Sequence, residues 1–317
     1  MQRCQFTPAR WSPRANRPDL ICAGSQRDPP SGSSPRIPVA PVRRQSALAR
    51  LAQTGGLVST AGMHPDASES AVAFFDASAT DYLAQANSKP DFLERFGLFQ
   101  EQIAMAKHKS GGTPLCVDLG CGPGTLSAVA LQHGFSVIGI DGSGAMLDRA
   151  RSLTNAQRPA IQYRLSPLPL PTSQMQDLEA SVDLVVASSV IEYLADDHVF
   201  IEQCHRLLAP GGTALVSFAN KHSLYRAAAR QVSRLAHRPA SYLTVQQRQH
   251  DESTARLLCQ RAGFAVESVY YFGLPTPLYR VPHPNKRPVW LATLFLLVLR
   301  RSDSPTEVFG DATEDTR

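Results

Sequence analysis

This sequence has no long apolar run, no closely paired cysteines and no internal repeat. Its longest apolar stretch, 289–299, has eleven residues, well short of the roughly 20 that a membrane-spanning helix needs. The six cysteines, Cys4, Cys22, Cys116, Cys121, Cys204 and Cys259, form no C-x-x-C pair, and no His-Glu-x-x-His occurs. A metal site is therefore not expected, and reduced thiols acting as small buried hydrophobes are. The first thirty residues hold Arg and Pro where a secretory signal needs an apolar segment. These absences lead to the expectation of a soluble cytoplasmic protein without a transmembrane segment.

Acidic residues are scarce at the N-terminus. Residues 1–62 carry nine arginines against Asp19 and Asp28, a net of +7, so the formal +5 of the whole chain leaves −2 for the remainder. The basic balance belongs to the tail and gives no ground for expecting nucleic acid as a partner. With eight prolines before Val42 and no sustained periodicity, that tail is expected to be disordered, as is a shorter one at 303–317. Two readings of residues 1–62 stay open: an organellar leader, which the prolines oppose, or sequence ahead of a true start at Met63.

The remainder is foldable. With 43% hydrophobic and 19% charged residues, the chain can bury a substantial core. From 68 to 107, Val72, Phe75, Tyr82, Phe92, Phe96, Phe99 and Ile103 recur at helical spacing and predict two helices broken near 87–90. Strands are expected at 114–119, 135–140, 161–165, 182–188, 213–218, 265–272 and 293–299. Helices are expected at 125–133, 144–151, 198–208, 222–237 and 251–261. Pro210-Gly211-Gly212 should stop the third of these, and His250 or Asp251 should cap the last. Strands alternating with helices predict a doubly wound α/β sheet.

The run Val117-Asp118-Leu119-Gly120-Cys121-Gly122-Pro123-Gly124-Thr125 joins the first strand to its helix through a glycine turn. Glycines tolerate positive φ and let another group approach the backbone. A dinucleotide site asks for G-x-G-x-x-G, but here Thr125 stands at the third position and the glycine falls at 124. Asp118 would also face a diphosphate with like charge. Both departures point away from a nicotinamide-dependent oxidoreductase, which stays as a lesser alternative.

The run instead resembles motif I of class I S-adenosylmethionine-dependent methyltransferases of the small-molecule type. Gly139-Ile140-Asp141-Gly142-Ser143 with Met146-Leu147 resembles the end of that family's second strand and the helix after it. Asp183-Leu184-Val185-Val186, Ser188-Ser189-Val190-Ile191-Glu192-Tyr193-Leu194 and Leu207-Leu208-Ala209-Pro210-Gly211-Gly212 resemble its fourth and fifth strands, and Ala262-Gly263-Phe264 and the ending 295–301 its last two. The resemblance implies a Rossmann-like, seven-stranded, mostly parallel sheet over 63–302. A helical cover (68–107) and a helical insertion (about 219–250) accompany it. It implies S-adenosyl-L-methionine as cofactor, with Gly120, Cys121, Gly122 and Gly124 beside the methionine part and Asp118 fixing its amino group. Asp141, next to Gly142, is placed to accept bonds from two ribose hydroxyls. Ser166 and Ser188, after the third and fourth strands, complete the expected cofactor set. The family's acidic adenine reader after the third strand is missing, for the chain has Arg164-Leu165-Ser166-Pro167-Leu168 there. That gap keeps a non-catalytic methyltransferase-like partner protein as a further alternative.

Methyl transfer to oxygen needs a general base, whereas transfer to a neutral amine does not. His222, His250 and His283 are candidates, and Glu192 and Tyr193, just after the fourth strand, are better placed by topology. Tyr82 and Phe75 are positioned to cover the cofactor. Arg226, Arg230 and Arg234, at spacing four, share one helix face: either a solvated face, or a lid over an anionic or lipid-like acceptor or a peripheral membrane contact. Ser-Ser-Val-Ile after the fourth strand is not the Asn- or Asp-Pro-Pro-Tyr tetrad of enzymes that methylate DNA amino groups and has no cysteine to attack a pyrimidine ring, so a small-molecule acceptor is expected, on oxygen ahead of carbon or nitrogen.

Overall fold

Successive residues of the central strands are buried on opposite faces, so one sheet carries two cores. Cys116, Val137, Leu184, Val186, Leu215 and Val298 point to one face, while their neighbours Val117, Ile138, Val185, Val216 and Leu297 point to the other. The computed structural model describes residues 67–88, 90–106, 112–154, 159–235, 245–274 and 289–302, all within the unit Thr60–Arg317. The two expected tails and His283 lie outside the described residues.

The strands are Leu115–Leu119 (β1), Ser136–Asp141 (β2), Ile161–Leu165 (β3), Val182–Ala187 (β4), Leu208–Ala219 (β5), Phe264–Phe272 (β6) and Leu294–Arg301 (β7). They form one sheet ordered β3-β2-β1-β4-β5-β7-β6. β1 to β5 run parallel, and β7 pairs antiparallel with both β5 and β6. Winding reverses between β1 and β4. That is the switch point where the carboxyl ends of strands open a crevice.

The helices are Ala67–Ser88 (α1), Pro90–Met105 (α2), Thr125–Gln132 (α3), Gly144–Thr154 (α4), Thr172–Met175 (α5), Asp197–Leu207 (α6), Leu224–Leu235 (α7) and Glu252–Arg261 (α8). Phe99 and Ile103 of α2 and Val129 of α3 fill one core; Phe200 and Cys204 of α6 and Cys259 of α8 fill the other. The break expected near 87–90 falls between α1 and α2. Of the two cap candidates for α8, Asp251 takes the role, accepting from the Thr254 N–H at 2.8 Å.

One boundary differs from expectation. α6 does end before Pro210-Gly211-Gly212, but β5 begins at Leu208 and contains that tripeptide. The register jumps from Val182↔Leu208 to Leu184↔Thr213, so the tripeptide sits in a bulge. The Arg300 guanidinium holds the Gly211 carbonyl at 2.9 Å.

Candidate functional site

Three glycines after β1 take positive φ, 68° at Gly120, 52° at Gly122 and 77° at Gly124, but they serve different ends. A Cβ on Gly120 would lie 2.4 Å from Val190 Cγ2, and one on Gly124 would lie 2.6 Å from Tyr163 Oη. Those two glycines admit the protein's own packing. A Cβ on Gly122 would meet nothing within 4 Å, so its bare backbone faces open space.

The turn is held from β2. The N–H groups of Gly120 and Cys121 both donate to the Ile140 carbonyl, at 2.7 and 3.0 Å. Asp141 Oδ2 accepts from the Gly122 N–H and Oδ1 from the Ser143 N–H, each at 2.8 Å. This carboxylate therefore braces two turns and keeps further acceptor capacity, since a carboxylate offers about four acceptor sites. Burial raises its pKa, with the two backbone bonds opposing and Asp76 adding to the rise.

Asp118 is buried in β1 and accepts from Ser127 Oγ at 2.6 Å. Burial first, then the nearby Asp141 charge, pushes its carboxyl up to about 7 against the pull of Ser127. Burial likewise raises the Cys121 thiol well above its ordinary value, with Asp118 and Asp141 adding to it. A cation placed here would meet a carboxylate that is costly to ionise alone and is relieved by the pairing.

A cavity of about 50 Å³ opens on this turn, bounded below by Asp118, Gly122 and Ser188 and above by Tyr82, Phe92 and Arg95 of the first two helices. Ser188 Oγ is buried without a hydrogen-bond partner. Tyr82 packs edge-on against Phe75 and Phe92, each at 6.4 Å, and Phe75 packs edge-on against Tyr193 at 5.2 Å. The α1–α2 pair thus covers the crevice with aromatic rings.

The other expected residues sit less directly. Ser166 is buried, but its hydroxyl turns back to the Pro167 carbonyl at 3.1 Å and its N–H donates to the Asp141 carbonyl at 3.0 Å. Gly142 faces α1, for a Cβ there would lie 2.9 Å from Val72 Cγ2. Glu192, in a 3-10 turn Ile191–Tyr193, is buried, and its Oε2 has no hydrogen-bond partner. Burial raises its pKa, and the charges of Arg226 and Arg95 oppose the rise.

The histidines separate. His222 is exposed, while His250 is buried with Nε2 2.9 Å from Asp197 Oδ2 and its ring edge-on to Phe218. His250 ties the chain before α8 to the start of α6. The shared face of Arg226 and Arg230 is not a solvated one. Arg226 is buried, donating to Gln246 Oε1 at 2.7 Å and to the Thr293 carbonyl at 3.3 Å, and Arg230 is half-buried. The Arg234 side chain lies outside the described residues.

Two residues were not anticipated. Asp76 of α1 accepts from Ser143 Oγ and from the Ala145 N–H at the start of α4, and Arg95 of α2 donates to Ser189 Oγ at 2.9 Å. Asp76 sits in an ordinary helical stretch, and nothing local announces its partner. Arg95 follows Phe92 by three residues, a spacing that puts its guanidinium 4.6 Å from that ring, which was the one local signal available.

A family model described as a methyltransferase domain matches residues 117–214. The chain is 35% identical over 107 residues to a ubiquinone biosynthesis O-methyltransferase of Pseudomonas aeruginosa (strain LESB58), covering 33% of this chain and 44% of that protein. It is 30% identical over 106 residues to one from Nitrobacter winogradskyi, covering 33% and 39%. The aligned part thus spans less than half the length of these relatives. The solved magnesium protoporphyrin IX methyltransferase of Synechocystis PCC 6803 with bound SAH shares the fold at a TM-score of 0.55 and 17% identity, covering 75% of this chain and 100% of that one. Residues 117–214 thus match a methyltransferase domain, and the sheet shares the fold of a solved methyltransferase.

Proposed function

We propose that this chain is an S-adenosylmethionine-dependent methyltransferase acting on an oxygen of a small-molecule acceptor of anionic or lipid-like character. The observation that carries the cofactor assignment is the open backbone at Gly122 beside the buried Asp118 carboxylate and the unpartnered Ser188 hydroxyl. Such a cradle fits a cationic amino acid group and not a diphosphate, which Asp118 would repel. Asp118 and the Gly120–Gly124 turn would hold the methionine part, and Asp141 the ribose. When bound, the cofactor supplies an activated methyl group for in-line displacement.

The residues around it do three things. Asp118 lowers the cost of burying positive charge. The aromatic cover of Phe75, Tyr82 and Phe92 excludes water. Glu192, buried with one free carboxylate oxygen and a raised pKa, is suited to take the proton of an acceptor hydroxyl. His222 on the surface and His250 held by Asp197 are weaker candidates, and Tyr193 packs against Phe75.

The cavity of about 50 Å³ is well below the ~300 Å³ at the low end for ligand pockets, so the cover must part from the turn before a cofactor enters. The same smallness favours a second reading, a methyltransferase-like protein that takes no cofactor. Calorimetric titration with S-adenosylhomocysteine separates the two, because heat of binding lost in Asp141→Ala supports the enzyme reading and no heat at all supports the other. Incubating the protein and labelled S-adenosylmethionine with a lipid extract, then identifying the labelled product by mass, tests the acceptor class. Label only in water-soluble products removes the lipid-like assignment.

A further inference from the structure

The turn after β4 takes a conformation that its side chains resist. Ser189 has φ 57°, in the left-handed region that residues other than glycine seldom enter. Two side chains from elsewhere hold it there, for Ser217 Oγ of β5 accepts from the Ser189 N–H at 2.8 Å and Arg95 of α2 donates to Ser189 Oγ at 2.9 Å. Neither partner is a loose surface group. Ser217 is buried, and Arg95 lines the cavity over the glycine turn with its guanidinium 4.6 Å from the centre of the Phe92 ring. A strained turn held by remote partners beside the crevice points to a function.

Glu192 supplies that function. It follows Ser189 by three residues, in the 3-10 turn Ile191–Tyr193, where the Tyr193 N–H bonds back to the Val190 carbonyl at 2.9 Å. Burial raises the Glu192 pKa, and the Arg226 charge, its own backbone N–H, the Arg95 charge and a hydrogen bond from the Ser189 side chain oppose the rise, in that order. A hydroxyl that accepts from a guanidinium keeps its own proton to give, and the cation polarises it for that purpose. The bonds thus run one way, from Arg95 to Ser189 and from Ser189 to Glu192. The other charges around this turn are committed elsewhere. Asp197 of α6 takes His250 Nε2 and the Arg248 guanidinium, Arg248 also donates to the Leu194 and Ala195 carbonyls, and Asp76 of α1 holds Ser143. Arg226 of α7 is buried and fixed by Gln246, whose neighbour Gln247 donates its N–H to the Glu192 carbonyl at 2.8 Å. Arg226 therefore belongs to the body of the site, whereas Arg95 belongs to its cover.

We infer that Arg95 is a positioning residue for Glu192: through Ser189 it directs a hydrogen bond onto the buried carboxylate, so that the helix covering the site keeps this carboxylate charged and in place. The consequence for catalysis rests on the reading of Glu192 as the base, but the relay itself is measured in the full chain without any ligand. The test is carbon-13 NMR of the chain labelled at its glutamate carboxyls and titrated with pH, the Glu192 signal being the one lost in Glu192→Gln. Arg95→Gln and Ser189→Gly should each raise the Glu192 midpoint by about 1 pH unit, which a mere packing role would not do. Glycine accepts φ 57°, so Ser189→Gly removes the hydroxyl without adding strain and should keep the wild-type unfolding midpoint. Arg95→Lys, which retains a cation and a donor, should restore most of the wild-type value. A Glu192 midpoint that Arg95→Gln leaves in place, or that Arg95→Lys shifts as far as Arg95→Gln does, overturns the inference. With an acceptor in hand, Arg95→Gln should slow methyl transfer about tenfold on the rising limb of the pH profile and recover on its plateau. A shifted midpoint with no change in rate supports the relay and refutes Glu192 as the base, so the two readings fail separately.

Discussion

Ser143, in the turn that follows β2, donates its hydroxyl to Asp76 of α1 across 2.5 Å, 67 residues away in sequence. The same carboxylate oxygen accepts from the Ala145 N–H at 3.2 Å, so the cover helix puts a negative charge on the N-terminus of α4, where orphan N–H groups and the helix dipole favour one. Cover and cofactor crevice are joined at this point. Asp76→Ala should cost about 1–2 kcal/mol and lower the unfolding midpoint by about 2–8 °C. Because the cover must part before a ligand enters, S-adenosylhomocysteine should also associate faster in stopped-flow mixing. An unchanged association rate would mean that α1 is not the gate.

Gly120 and Gly122 should fail in different ways. Gly120→Ala drives a methyl to 2.4 Å from Val190 at φ 68° and should lower stability by roughly 2 kcal/mol or more. Gly122→Ala meets no atom within 4 Å, so it should cost only about 1 kcal/mol for its left-handed φ while filling the space a ligand needs. Chemical denaturation and calorimetric titration on both variants decide this. If Gly122→Ala binds S-adenosylhomocysteine as wild type does, the turn is not the cradle.

The β/α order was legible because its signals are local. The apolar strand runs, the glycine turn and the helix break at 87–90 all depend on neighbours within a few residues, and the strand ranges read from sequence lie within a few residues of those observed. The orientation of α7 was not legible. Spacing four places Arg226 and Arg230 on one face, but which face meets the core is decided by acceptors at Gln246 and Thr293, 20 and 67 residues away. The same holds at the site: Asp118 and the glycines stand out in the sequence, whereas the use of both Asp141 oxygens on backbone and the inward turn of the Ser166 hydroxyl depend on how β1, β2 and β3 lie side by side.

Asp118 should trade stability against binding. Its pKa rises from 3.8 in the absence of the fold to about 7 within it, so the stability linked to it is full below about pH 4 and is lost as pH climbs through 7. A shift of that size corresponds to about 4 kcal/mol by linkage. Asp118→Asn should therefore stabilise the fold at pH 8, by about 2–4 kcal/mol, and much less at pH 5. The same variant should bind S-adenosylhomocysteine at least ~10-fold more weakly, because the amino group loses its counter-charge. In the wild type, titrations at pH 6 in buffers of different ionisation enthalpy should report proton release on binding. A variant that is less stable at pH 8 would contradict the burial argument.

Glu192 is the sharpest test of catalysis. A carboxyl group whose pKa is raised by burial is a better base than an ordinary one once it is ionised, and Arg226 and Arg95 keep ionisation within reach. With the acceptor identified by the labelling experiment, the rate should rise with pH along a limb set above the usual glutamate range. Glu192→Gln should lower kcat by about 10²–10⁴ and flatten that limb, while cofactor affinity stays near wild type. The backbone carbonyl of Glu192, which accepts from the Gln247 and Arg248 N–H groups at 2.8 and 3.2 Å, is untouched by the change, so the local chain should hold. His222→Ala should leave the rate within about twofold, as expected for an exposed side chain. His250→Ala should lower stability through its lost Asp197 bond and leave the shape of the pH profile intact. A Glu192→Gln enzyme that is slow but keeps the wild-type limb would assign the residue to positioning, and the proton would then have to leave by another group.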